Sequence, residues 1–69
     1  MNYRMVSNAR EAINMAKDVI EEAGYMTSRI LEAEYDEDDK VWRVRALSVQ
    51  SEIELTITED GDVEDFSTD

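Results

Sequence analysis

The apolar residues change their spacing at Gly24, and that change confines the chain to few architectures. Before it, Ala9, Ala12, Ile13, Ala16, Val19, Ile20 and Ala23 recur at three- and four-residue intervals, with Arg10, Glu11, Asn14, Lys17, Asp18 and Glu21 between them. This is the pattern of an amphipathic helix. Ser7 or Asn8 is placed to accept from the free amides of the first turn, and Glu11, three residues after Asn8, completes a capping box. Gly24 supplies the left-handed residue that ends many helices. The helix is expected from about Asn8 to Ala23. Four of its seven core-facing residues are Ala, so it buries little area but lies close to whatever it covers. The cover expected is a sheet.

Beyond Gly24 the pattern alternates with period two between polar turns, as in an antiparallel meander. Residues 26–35 present Leu31, Ala33 and Tyr35 on one face and Glu32 and Glu34 on the other. Residues 41–47 set Trp42, Val44 and Ala46 against Val41, Arg43, Arg45 and Leu47. Residues 52–58 set Ile53, Leu55 and Ile57 against Glu52, Glu54, Thr56 and Thr58. A slip of one residue turns every apolar side chain outward, so these faces dictate a register. With Asp38-Asp39 at the centre of the first turn, Tyr35 pairs with Trp42, Ala33 with Val44 and Leu31 with Ala46. With Val49-Gln50 at the second, Trp42 pairs with Ile57, Val44 with Leu55 and Ala46 with Ile53. On the other face Glu34 meets Arg43, and Arg45 lies between Glu32 and Glu54. Opposite charges across a ladder contribute roughly 0.2–1 kcal/mol each. The apolar face therefore decides the register and the ion pairs tune it.

Asp60-Gly61 is the signal of a two-residue hairpin, which returns Val63 to Phe66 as a short fourth strand. Val63 and Phe66 cannot share a face of an ideal strand, so a bulge or a one-sided docking of Phe66 is expected. Ser67-Thr68-Asp69 is expected to fray. The fold class is α+β, a single domain over residues 1–69, with one N-terminal helix packed on an antiparallel meander of three or four strands.

Composition narrows the function. The 69 residues include no His and no Cys, and 18 acidic side chains against 7 basic ones set the net charge at −11. Structural zinc, iron–sulfur ligation, disulfides and nucleophiles built on Cys or His are excluded together. Phosphate backbones and anionic lipid repel such a chain, so neither nucleic acid nor membrane is an expected partner. No run approaches the ~20 apolar residues of a membrane span, and Met1–Val6 lacks the apolar centre of a secretory signal. A cytoplasmic location is expected. Residues 1–24 hold 3 bases and 4 acids, residues 25–69 hold 4 bases and 14 acids, and residues 50–69 hold eight acids and no base. Two Lys against five Arg also fit a salt-adapted composition whose acidity serves solubility.

What chemistry remains belongs to carboxylates. Asp36, Asp38 and Asp39 in the first turn, and Asp60 and Asp62 around Gly61, are the candidate ligands of a weak calcium-type site. The turns after the first and third strands of a meander fall at one end, which places the two groups to share an ion. Neither group has the alternate-position spacing closed by a bidentate Glu, so solvated turns are the plainer reading. No cofactor is expected beyond weak calcium binding. Paired-carboxylate catalysis requires an acid held protonated in an apolar pocket. Every carboxylate here lies in a polar run or on an outward face, so no catalytic residue is assigned and the protein is expected not to be an enzyme. Tyr35 and Trp42 read as core rather than as a substrate platform.

Ile30, Val41 and Leu47 are left over once the core is assigned, with Met26 and Tyr3 at the rim. Together with Glu32, Glu34, Arg43 and Arg45 they form a candidate partner-binding surface on the open face of the sheet. The first strand is an edge that only Glu32 and Glu34 protect. A protein partner, or a second copy of the chain, is expected at that edge or face.

The helix with Glu11-Ala12 and Ala16, the extended strand ending in an acidic turn, the strand with Trp42-Arg43-Val44, and the last strand closing on Glu59-Asp60-Gly61-Asp62-Val63 resemble the PepSY-type domain. The resemblance runs from about Ser7 to Phe66. It implies a small α+β module that binds or inhibits partners and does not catalyse. Such domains commonly occur in protease propeptides and cell-surface proteins. No signal, protease or membrane segment accompanies this one in the sequence, so extracellular protease inhibition is not expected. The expected function is a non-enzymatic protein-binding or regulatory module, with divalent-cation binding and salt-adapted solubility as alternatives.

Overall fold

In a computed structural model, which describes residues 5–69 apart from the side chain of Ser28, helix α1 (Ala9–Glu22) precedes strands β1 (Thr27–Asp36), β2 (Val41–Ser48), β3 (Glu52–Thr58) and β4 (Val63–Thr68). The strands form one antiparallel sheet in the order β1-β2-β3-β4, as the α+β reading requires. Tyr3 lies outside the described residues. The Asn8 side chain caps α1 by accepting from Glu11 N–H at 2.9 Å. Glu11 reaches one residue further back than a capping box, accepting from both the backbone N–H and the hydroxyl of Ser7 at 2.8 and 2.9 Å. At the other end Gly24 N–H donates to Glu21 O and Tyr25 N–H to Ile20 O, at 3.0 and 3.1 Å. This pair of bonds is a Schellman closure, and Gly24 provides its left-handed residue at φ 94°.

The helix lies over β1, β2 and β3 and leaves β4 uncovered. Ala12, Ala16 and Ile20 are fully buried against Val44, Ala46, Ile53, Leu55 and Ile57, with Met15 and Val19 packed at the margin. Ala9 and Ala23 are exposed at the helix ends, so the buried stripe is shorter than the periodicity suggests. Val6 joins the core at 3% exposure. Its N–H donates to Glu59 O at 2.8 Å, and its carbonyl accepts from Trp42 Nε1 at 3.2 Å. The segment ahead of the helix is thereby tied to two strands.

The register agrees with the apolar faces from Ala33 onward. Ala33 opposes Val44, Tyr35 opposes Trp42, and Trp42, Val44 and Ala46 oppose Ile57, Leu55 and Ile53. Ala46, however, opposes Ile30 and not Leu31, because the ladder shifts between Ile30 and Glu32 and again between Thr27 and Arg29. Two extra residues in the longer strand are absorbed as bulges. Thr27, Ile30 and Ala33 then oppose inward positions although they lie three apart. The same device operates in β4, where a shift opposite Thr56 and Ile57 lets Val63 pair with Ile57 and Phe66 with Leu55. Ser67 and Thr68 do not fray; they pair with Glu54 and Ile53, and Asp69 N–H donates to Glu52 O at 3.0 Å.

The turns follow their residue types. Ser48 Oγ accepts from Gln50 N–H and Ser51 N–H at 3.1 and 2.9 Å and closes the turn between β2 and β3. The Asp60-Gly61 turn is a three-residue loop and not the two-residue one. Gly61 N–H donates to Thr58 O at 3.0 Å, Thr58 N–H donates to Asp62 O at 2.8 Å, and Gly61 carries the positive φ of 92°. A two-residue type I′ turn requires positive φ at Asp60 too, and Lys40 at 57° is the non-glycine residue with positive φ among the described residues.

Truncation of Ile20 to Ala removes the largest helix side chain from the core and is expected to cost about 2–5 kcal/mol, a large part of the stability of a domain this small. Urea unfolding monitored by Trp42 fluorescence reads it. Thr27→Val is expected to act the other way. The Thr27 hydroxyl oxygen is buried without a hydrogen-bond partner, and a methyl in its place removes a penalty of about 1 kcal/mol or more. A raised urea midpoint at unchanged slope is the expected result.

Candidate functional site

Among the described residues α1 covers one face of the sheet only, and the opposite face is open. Alternation places Glu32 and Glu34 of β1, Arg43 and Arg45 of β2, Glu54 and Thr56 of β3, and Asp65 and Ser67 of β4 along a shallow recess of about 350 Å³. Four carboxylates there surround two guanidinium groups. Arg45 bridges Glu32 at 3.0 Å and Glu52 at 3.4 Å, so its second partner is Glu52 where Glu54 is expected. Arg43 opposes Glu34 in the ladder, but its guanidinium turns along the strand to Asp36 at 3.1 Å and Asp39 at 3.0 Å. The cause lies in the turn. Asp36 Oδ1 already accepts from Asp38 N–H at 2.9 Å and Asp39 N–H at 3.3 Å, which holds Oδ2 ready for the guanidinium Nε and Nη2. As a result Glu34, Glu54 and Asp65 line the recess without an ion pair to a described residue.

These pairs are solvent-exposed, so each contributes little to stability. Their effect on titration is clear in direction. The hydrogen bond from Arg43, with the N–H groups of Asp39 and Asp38, lowers the Asp36 pKa from its ordinary value. The same contact with Asp36 raises the pKa of Arg43.

A second group of side chains gathers at the end of the sheet that carries the turns after β1 and β3. The Tyr35 and Trp42 rings pack with centroids 5.1 Å apart and planes tilted by 55°. The Tyr35 phenol donates to Glu59 Oε2 at 2.5 Å, and that bond is the main cause of its raised pKa. Met5, Val6, Ser7, Tyr35, Trp42 and Glu59 line a recess of about 500 Å³. Tyr35 is exposed at 37%, so the pair sits at the rim of the core.

The structure divides the residues singled out by the sequence. Glu32, Glu34, Arg43 and Arg45 share the open face, and Leu47, which opposes Glu52, is 37% exposed. Ile30 does not belong to that surface, because the bulge beside it turns it against the core. Val41 is not available either, being only 4% exposed. Asp36 and Asp39 both pair with Arg43. Asp38, Asp60 and Asp62 are exposed. Among the described residues no group of three or more carboxylates is gathered to hold a metal. Nor is any helix of the described residues long and apolar enough to cross a membrane. The sequence pattern assigns Val6 no place in the core and Glu59 no partner at Tyr35; both roles come from the strap between the N-terminal segment and the end of β3, which no periodicity marks.

Comparison with known proteins yields no match to a family model, a curated protein or a solved structure.

Since the folded-state pKa of Asp36 lies below its unfolded value, its contribution to stability is present above the ordinary carboxylate range and is lost as pH falls through the depressed value. Asp36→Asn is therefore expected to flatten the acid limb of the stability curve relative to the unmodified protein. Urea titrations at neutral and strongly acidic pH, subtracting one protein from the other, isolate this group from the general relief of charge repulsion.

Proposed function

We propose that the protein is a non-enzymatic binding module whose open sheet face receives a basic segment of a protein partner. The observation that carries this reading is the surplus of carboxylate in the recess. Glu34, Glu54 and Asp65 flank two arginines that already have partners, Arg45 in Glu32 and Glu52 and Arg43 in Asp36 and Asp39. A cationic partner placed there gains Coulomb attraction without displacing an existing pair, and the acidity of the whole chain speeds its approach while turning away anionic competitors. Between the charged groups the recess is lined by the polar Thr56 and Ser67 together with Val44, Leu55 and Phe66.

The β1 edge supports the reading less well. Its N-terminal half is bulged, which blunts strand addition, and Glu32 and Glu34 occupy its regular half. The resemblance to PepSY-type modules also favours binding over catalysis.

The test is an amide-resolved NMR titration of the isotope-labelled protein with a Lys- and Arg-rich peptide at low salt. Shifts centred on Glu34, Arg45, Glu54 and Asp65 are expected. The Glu34→Lys, Glu54→Lys double variant should bind at least about tenfold more weakly, or about 1.4 kcal/mol. Shifts confined to the helix, or equal affinity in the charge-reversed variant, overturn the reading.

A further inference from the structure

The recess between the N-terminal strap and the end of the sheet has a composition different from the open face. Two of its walls are the aromatic rings of Tyr35 and Trp42, a third is the Glu59 carboxylate, and Met5, 59% exposed, stands at its mouth. The polar hydrogens of these walls are already engaged. Trp42 Nε1–H is held by Val6 O, the Tyr35 hydroxyl by Glu59, and the Ser7 N–H and hydroxyl by Glu11. Beside the apolar Met5, what the recess offers a visitor is π-electron surface and a carboxylate. Both attract cations, and neither rewards an anion.

The walls are also held in place before any ligand arrives. Trp42 is fixed by its indole hydrogen bond and by the tilted contact with Tyr35, and Glu59 is fixed through its side chain by Tyr35 and through its carbonyl by Val6 N–H. Fixed walls lower the ordering cost of binding. The turns on either side, with Asp36, Glu37, Asp38 and Asp39 on one and Asp60 and Asp62 on the other, add a negative field that draws a cation to this end. They act as surroundings, since Asp36 and Asp39 are committed to Arg43.

From these observations we infer that the Tyr35–Trp42–Glu59 recess binds a single basic side chain, arginine or lysine, of a protein partner. The inference rests on the basic partner proposed above and assigns it a second anchor point, beyond the β1–β2 end of the open face.

Capped single amino acids separate the two ideas, because they are too small to span the face. The full-length protein is titrated with N-acetyl-arginine amide, N-acetyl-lysine amide and, as the uncharged control, N-acetyl-norleucine amide, with Trp42 fluorescence and the indole N–H resonance as readouts. A saturable change with either cation, and none with norleucine, is expected. The arginine and lysine arms show which cation is preferred. Glu59→Gln should weaken binding severalfold, Tyr35→Leu should abolish it, and Tyr35→Phe, which keeps the ring, should retain most of it. Circular dichroism of each variant verifies the fold, and Glu34→Lys, Glu54→Lys should bind the capped cations as the unmodified protein does. No saturable change, or equal binding of norleucine, overturns the recess inference and leaves the peptide titration of the face untouched. Loss of peptide binding with retained capped-cation binding overturns the face and leaves the recess standing.

Discussion

The close seating of α1 on the central strands is the contact from which the other features follow. Ala12 and Ala16 bring the helix backbone near Val44, Ala46, Ile53 and Ile57, and Ile20 supplies the bulk that a stripe of alanines lacks. Little area is available in so short a chain, so the core depends on fit more than on size. A helix so placed reaches β1, β2 and β3 but not β4. The last strand is therefore attached by its ladder to β3 and by the contact of Phe66 with Tyr25, whose rings lie 6.2 Å apart.

One-sided covering also arranges the charge. The helix half of the chain is nearly neutral, and the acidic surplus falls on the sheet and its turns. There Arg45 pairs with Glu32 opposite it, but Arg43 does not pair with Glu34. Arg43 is drawn to a turn whose Asp36 is already oriented by backbone N–H groups, and the released carboxylates remain on the face. A local preference of one side chain thus sets the electrostatic character of a surface several residues wide. At the opposite end of the molecule Val49 N–H donates to Met26 O at 3.3 Å, and both side chains are largely exposed.

Much of this was legible in the residues. Alternation in β2 and β3 has a single solution that buries Trp42, Val44, Ala46, Ile53, Leu55 and Ile57, and the register follows because a slip exposes all of them at once. Where apolar residues lie three apart, as Val63 and Phe66 do, the mismatch itself announces a bulge, and β4 has one. Ile30 and Ala33 carry the same signal in β1. It was obscured by Leu31, which preserves strict alternation with Ala33 and so offers a regular strand as an alternative. The regular strand would leave Ile30 outside; the bulge turns it onto the core.

The sequence by itself determined the order of elements, the helix ends at Asn8 and Gly24, the apolar face of the sheet and the absence of His and Cys chemistry, because each depends on neighbours a few residues apart. Only the tertiary structure decided that Val6 belongs to the core, that Val41 is withdrawn from the surface, that Arg43 serves Asp36 and Asp39, and that Glu59 meets Tyr35. Those contacts join residues distant along the chain or chosen among competing acceptors. Their outcome depends on strand twist, bulges and the path of the N-terminal strap, which no short-range pattern specifies.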